Sequence, residues 1–273
     1  MAAANDNELK ELVRKRFTRT AEVFGDYAVA HRVTDAELLA RLVSAAPTDR
    51  AADLACGPGT LALRFARHVK WVCGLDFTPA ILELARRNAL REGLSNLFCV
   101  LGDAQALPFG DGSLDLAVTS YSLHHISDPA RVLAEMARVV KPGGGRVGVL
   151  DILVPEEPKV RELNHRIERI RDNSHARSLA RSDFDRIFSE AGLRIVATEV
   201  RGHPRTFDHW MHVAGWKHTD SQYIEARQLM ESSMADDGAD FHPRFEPAEV
   251  AKSGEEPDIY MINTGIYIAA EKI

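Results

Sequence analysis

The residues best suited to chemistry are four carboxylates and a histidine pair, each at the end of a short apolar run: Asp53, Asp76, Asp103, His124-His125 and Asp151. The first belongs to Ala52-Asp53-Leu54-Ala55-Cys56-Gly57-Pro58-Gly59-Thr60. Glycines at a strand-to-helix turn let the backbone approach a ligand and take dihedrals that a side chain resists. Alone, such a loop fits a tight turn or a dinucleotide site equally well. The spacing narrows the choice. Asp76 ends the next apolar run, roughly 20 residues on, where an acid can accept both hydroxyls of a ribose. Asp103 follows in Gly102-Asp103-Ala104, where a carboxylate can take the exocyclic amine of an adenine.

His124, His125 and Asp151 offer proton transfer. Neutral histidine is available near pH 7, and a nearby carboxylate stabilises its charged form, so the set could deprotonate a hydroxyl, phenol or carbon acid. The plain alternative is a satisfied, buried histidine and an aspartate capping the chain as it leaves its strand. Other clusters weigh less. Arg171, with His165 and His175, could clamp an anion bidentately, but the Glu162–Arg166 and Glu168–Asp172 spacings fit a solvated surface helix better. Of His203, His209, His212 and His218, only His209 and His212 share a helix face, and no metal is expected. Trp210, Met211 and Trp216 read as the core of a cap. Arg14-Lys15-Arg16 reads as a solvated helix face.

The elements that must carry these residues alternate regularly. Apolar strands are predicted at 50–55, 70–75, 97–101, 114–120 and 146–152, with amphipathic helices at 60–68, 78–92 and 129–140. That rhythm predicts a parallel sheet covered on both faces. Two helices precede it, the second capped by Thr34 and ended by Pro47. After Ile152 the rhythm breaks into a charged helix up to Arg171, a helix over 182–191 closed by Gly192, a strand over 193–200, two helices within 203–240 and a last strand over 262–270.

In order and spacing, residues ~50–152 resemble the class I S-adenosylmethionine (SAM)-dependent methyltransferases, and Val140-Lys141-Pro142-Gly143-Gly144-Gly145-Arg146 extends the match. Thr78 to Pro108, with Asp111-Gly112-Ser113-Leu114-Asp115, is similar to the ubiquinone/menaquinone C-methyltransferase-like group. The resemblance implies an α/β, Rossmann-like, doubly wound sheet of seven strands, mostly parallel with the last antiparallel, carrying helical caps. It implies a cap at 1–46, a core at 47–202 and 259–273 with an insert at 153–180, and a helical acceptor-side insertion at 203–258. It also gives roles: Asp53, Gly57 and Gly59 for the methionine end of SAM, Asp76 for the ribose, Asp103 and the Ala104 amide for the adenine, with Phe77 against its ring. Ser120 and Leu123 complete the expected cofactor-binding set. Ala55 stands where the family usually has glycine. Alanine forbids easy left-handed dihedrals, so affinity for SAM is expected to be reduced.

Composition fits this reading. The 273 residues are 45% hydrophobic and 27% charged, enough for a large core in an ordinary globular chain. A net charge of -6 argues against nucleic acid as partner and leaves a small-molecule methyl acceptor. No apolar run reaches a membrane span. The first 17 residues carry no secretory h-region, and the three cysteines lack metal spacing and fit buried thiols, so a cytoplasmic location is expected. Whether O, C, N or S is methylated, and whether the protein is a homodimer, stays open. Two other readings are weighed. A SAM-binding protein without turnover is kept alive by Ala55. A nicotinamide-dependent oxidoreductase leaves Asp103-Ala104 and Lys141-Pro142-Gly143-Gly144 without a role and lacks a Tyr-x-x-x-Lys pair after the fourth strand.

Overall fold

The computed structural model describes residues 5–31, 33–235, 238–245 and 257–273. Two helices, α1 (Asp6–His31) and α2 (Val33–Leu42), lead into β1 (Arg50–Leu54), α3 (Thr60–Phe65), β2 (Trp71–Asp76), α4 (Pro79–Arg91), β3 (Leu97–Leu101) and β4 (Leu116–Ser120). Next come α5 (Pro129–Val139), β5 (Arg146–Val154), α6 (Pro158–Arg171), β6 (Leu179–Ala180) and α7 (Arg181–Glu190). The chain closes with β7 (Leu193–Thr206), α8 (Phe207–Val213), α9 (Ser221–Ser232), β8 (Arg244–Phe245) and β9 (Ile259–Lys272).

Runs of Ala, Val and Leu make β1, β2, β4 and β5 nearly continuous buried strands, as a parallel sheet covered on both faces requires. Among the described residues the strand order is β3-β2-β1-β4-β5-β9-β7, with β6 attached to β5 and β8 to β9. The first five strands pair in parallel; β9 is antiparallel to both β5 and β7. The order reverses between β1 and β4, and open sheets of this kind take ligands at that switch point, beyond the carboxyl ends of the strands. One core layer joins the sheet to α5 and α7 through Leu133, Met136, Phe184 and Phe188. The opposite layer joins it to α2 and α3 through Leu39, Leu61 and Phe65. A third cluster, with Ile167, Phe207, Trp210, Met211, Tyr223 and Met230, holds α6, α8 and α9 together, so Trp210 and Met211 are cap core.

Helix starts follow local chemistry. Proline occupies the first helical position of α4, α5 and α6, where its missing N–H costs nothing. The carboxylates of Asp128 and Glu157 accept the Arg131 and Val160 amides.

Several expectations change. Helix α2 begins at Val33, inside which Thr34 is an ordinary residue; residue 32 lies outside those described, as do 1–4 of the expected N-terminal cap and 246–256 of the expected acceptor-side insertion. β7 and β9 run well beyond 193–200 and 262–270, because past the sheet edge they pair with each other as far as Thr206↔Tyr260. Arg16 is not solvated: it is buried and paired with Asp172. Glu168 and Asp172 are buried too, whereas Glu162 and Arg166 are exposed as expected, so only one face of α6 is solvated. Cys56 and Cys73 are buried, but Cys99 only half so. No described helix is long and apolar enough to cross a membrane.

Gly148 on β5 shows how closely α2 is seated. A Cβ there would lie 2.7 Å from a Val43 methyl and 3.1 Å from one of Val118. Gly148→Ala is therefore expected to destabilise the protein by about 1–3 kcal/mol through overpacking. Urea unfolding should show a lower midpoint at unchanged slope; an unchanged midpoint would mean that the layer yields without cost.

Candidate active site

The turn after β1 reaches α3 through alternating left-handed residues: Ala55 (φ 51), Gly57 (φ 54) and Gly59 (φ 84). Two carboxylates hold it. Asp76, at the end of β2, accepts the Gly57 amide at 3.0 Å on Oδ2 and the Thr78 amide at 2.8 Å on Oδ1. Burial raises the Asp76 pKa, and these N–H donors oppose the rise. Asp53, fully buried on β1, accepts the Ala62 amide at 2.9 Å, and burial pushes its pKa well up.

An open cleft of about 890 Å³, mouth included, lies over this turn. Its walls include Ala55, Gly57, Asp76, Phe77, Asp103, Ala104 and Ser120 of the sequence-predicted set, and also His125. Three expected cofactor residues are not in the wall. Asp53 points beneath the loop and fastens α3, Gly59 packs on Ala85 with no room for a Cβ beyond 3.2 Å, and Leu123 is fully buried in the core. Conversely, α1 supplies Lys10, Val13 and Phe17 to the wall. Lys10 sits 2.7 Å from Asp103, whose other oxygen accepts the Gln105 amide at 2.8 Å. The apolar spacing of Val13 and Phe17 reads in sequence as ordinary packing, so nothing there signalled a binding wall.

At the ends of β4 and β5 the second expected constellation forms. Asp151 is 1% exposed. Its Oδ2 accepts the Ser122 and Leu123 amides at 3.1 and 2.7 Å, and its Oδ1 accepts the Ile152 amide at 2.7 Å and His124 Nδ1–H at 2.5 Å. Burial alone would raise this carboxyl; His124 and the backbone donors hold it below its ordinary value. An ionised Asp151 only accepts, so Nδ1 of His124 carries a proton and is the donor. His125 does not touch Asp151. Its Nδ1–H donates to the Ser174 carbonyl at 3.0 Å, and its ring meets Phe17 edge-on at 5.2 Å. Burial, with His124 next to it, lowers the His125 pKa to about 4, so it is neutral at pH 7.

A second cleft of about 660 Å³ adjoins the first: Phe17, Tyr121 and His125 line both. His124 lines the second, with Arg16, Arg171, Arg205, His203 and Asn263. The part of β7 beyond the predicted 193–200 supplies His203 and Arg205, and β9 supplies Asn263. Asp151 lies behind the wall, in contact with His124. Among the described residues no group of histidine, cysteine and acidic side chains is arranged to hold a metal.

A family profile described as a methyltransferase domain matches residues 51–144. The Bacillus subtilis protein named uncharacterized methyltransferase YcgJ is 31% identical over 199 residues, 73% of this chain and 78% of that protein. Its crystal structure superposes with a TM-score of 0.75 at 25% identity, covering 88% of this chain and 99% of that one. Demethylmenaquinone methyltransferase of Renibacterium salmoninarum is 34% identical over 141 residues, 48% of this chain and 57% of the enzyme. Geranyl diphosphate C-methyltransferase of Streptomyces coelicolor, solved with S-adenosyl-L-homocysteine, shares the fold at a TM-score of 0.60 and 16% identity.

Ala55 already holds the left-handed conformation that the sequence flagged as costly, so the strain is carried by the folded chain itself. An L-residue there costs about 1–2 kcal/mol, and glycine returns roughly 0.5–1 kcal/mol of that through its freer unfolded state. Ala55→Gly is expected to raise stability by about 0.5–1 kcal/mol. Urea midpoints check this; an equal or lower midpoint would mean that the alanine sits without strain.

Proposed function

This chain belongs to the class I SAM-dependent methyltransferases, and we propose that it methylates a small molecule held in the second cleft, at an atom that gives up its proton to His124. The observation that carries this reading is His124, backed by Asp151, in the wall of a cleft that adjoins the first one.

The residues of the first cleft suit a nucleoside-bearing cofactor. Asp76 spends one lone pair of each oxygen on the loop and the following turn, and keeps others for the two hydroxyls of a ribose. Asp103 and the Ala104 amide would take the adenine edge, and Phe77 would lie on its face. Gly57, with an open Cβ direction, lets the methionine end approach the backbone. When bound, SAM supplies a methyl group on a positively charged sulfur, already activated for transfer. The rest falls to positioning and proton removal. Asp151 fixes the His124 tautomer so that Nε2 can take the acceptor's proton, and its carboxylate stabilises the imidazolium that results. His125, neutral and wedged between Phe17 and Ser174, separates the two ligands and keeps water from the junction. A hydroxyl, phenol or carbon acid is the acceptor type that needs such a base; an amine or thiolate that arrives deprotonated would not.

Two outcomes are expected. Asp76→Ala should weaken SAM binding by about 1.5–3 kcal/mol, the loss of a charge-assisted hydrogen-bond partner; calorimetry finding unchanged affinity in a folded variant would refute this role. With an acceptor identified by mass spectrometry of a metabolite extract incubated with labelled SAM, His124→Ala should lower single-turnover rates roughly 10²–10⁴-fold with SAM affinity intact. Asp151→Asn should lower them in the same direction. Full rates in both variants would leave proximity alone as the catalytic contribution.

A further inference from the structure

The second cleft is lined by three arginines that differ in what balances them. Arg16 is compensated: its Nε lies 2.9 Å from Asp172 and it also donates to the Ala214 carbonyl at 3.0 Å. Arg171 lies 3.6 Å from Glu168, donates to the Trp210 carbonyl at 3.1 Å and stacks over the Trp210 ring. Arg205 is different. Among the described residues it has no ion-pair partner, and its Nε is buried with no hydrogen-bond partner. Asn263 stands with it: 8% exposed, with its Oδ1 buried and equally unmatched.

The two side chains belong to one built surface. In the β7–β9 ribbon His203 pairs with Asn263 and Arg205 with Met261. Alternation along a strand therefore sets His203, Arg205 and Asn263 on one face, and all three line the second cleft together with Tyr121 and His124, Tyr121 reaching His203 Nε2 at 3.4 Å. A half-buried cation with no ion-pair partner of its own (Glu168, which it influences through space, is already paired with Arg171), beside an amide oxygen held without a donor, is a costly arrangement for a protein to keep. A ligand that brings an anion to the first and a hydroxyl or N–H to the second removes both costs. The two arginines already paired contribute no net charge with their partners, so Arg205 sets the sign of the cleft.

We propose that the methyl acceptor is an anionic small molecule, a carboxylate or a phosphate ester, whose charged group is held by Arg205 and whose hydrogen-bond donor is taken by Asn263. The proposal rests on the methyl-transfer reading of the same site and narrows it. Arg205 offers two N–H groups in a fixed fork, the geometry that a carboxylate or phosphate accepts in pairs. The anion thereby seats one end of the acceptor on the ribbon and leaves its other end toward His124.

The full-length chain loaded with S-adenosylhomocysteine is titrated with three probes of one shape: para-hydroxybenzoate, para-hydroxyphenyl phosphate and the neutral para-hydroxybenzamide. At least one anion is expected to bind about ten-fold or more tightly than the amide, and the better of the two identifies the charged group. Arg205→Met should erase that preference, whereas Arg205→Lys, which keeps the charge but loses the fork, should retain part of it. Since the Arg205 side chain makes no hydrogen bond or ion pair among the described residues of the free protein, thermal stability should be equal or higher in Arg205→Met, with S-adenosylhomocysteine affinity unchanged. Equal binding of all three probes, no binding of any, or an anion preference that survives Arg205→Met overturns the proposal. So does a loss of stability in Arg205→Met, which would make its role structural. Failure of S-adenosylhomocysteine to bind the wild-type chain is a separate result and would strike the methyl-transfer reading itself.

Discussion

An ionised carboxylate taken almost wholly out of water needs several donors at once, and the way Asp151 obtains them organises the reactive end of this molecule. Three of its four donors are backbone amides, two of which, Ser122 and Leu123, lie beyond β4 on the neighbouring strand's exit. To present them, the chain must turn sharply as it leaves β4. Tyr121 accordingly takes a left-handed φ of 49, and Leu123–His125 forms a single 3-10 turn. That turn puts His124 against the fourth acceptor position of Asp151 and swings His125 to the other side. Without the carboxylate, those amides would be buried and unmatched, a cost of about 1–3 kcal/mol each. The dyad's geometry is thus a by-product of satisfying a buried charge.

The same logic operates across the switch point. Asp76 clamps the turn after β1 by accepting the Gly57 amide, just as Asp151 clamps the turn after β4. Both turns carry a non-glycine residue at positive φ, Ala55 in one and Tyr121 in the other, and both residues line the first cleft. Strained backbone of this kind persists only where its surroundings over-determine it. Here the over-determination comes from carboxylates at the ends of adjacent strands. Two strand exits, each strained and each held by an acid, leave the sheet's carboxyl edge open between them.

Much of this was legible in the sequence because it is local. The acids at strand ends, the glycine turn and the prolines that start helices each belong to a single βα step, where local spacing fixes their place on the element. Asp53 is informative: the family resemblance suggested a ligand contact, whereas strand alternation turns its side chain under α3, where it accepts the Ala62 amide. What sequence reasoning could not reach is built from distant pairs. Arg16 meets Asp172 across 156 residues of chain, and each, seen on its own helix, looks like a solvated charge. Arg205 escaped notice because β7 outruns the predicted 193–200, an extension that depends on pairing with β9 rather than on any apolar pattern, and Asn263, inside the predicted strand, carries no local sign of its partner His203.

The Arg16–Asp172 pair has a further role in tying the two clefts together. Helix α1 supplies Lys10, Val13 and Phe17 to the first cleft and Arg16 to the second, so any movement of the helix alters both. Asp172 is the fixed point. Burial would raise its pKa, but His125, Arg16 and Ser174 together hold it well below the usual carboxylate range. Besides Arg16 it accepts the Ser174 amide at 3.0 Å and the Ser174 hydroxyl at 2.6 Å, while the Ser174 carbonyl accepts a hydrogen bond from His125 Nδ1–H. Arg16, Asp172, Ser174 and His125 thus form one continuous set of charge-assisted and neutral hydrogen bonds from the cap helix to the wall between the clefts. A buried pair of this kind contributes little net stability, because desolvation offsets most of its attraction, yet breaking it leaves a charge stranded. Its value lies in register: it admits one placement of α1, the placement in which Phe17 meets His125 and the first cleft acquires its outer wall.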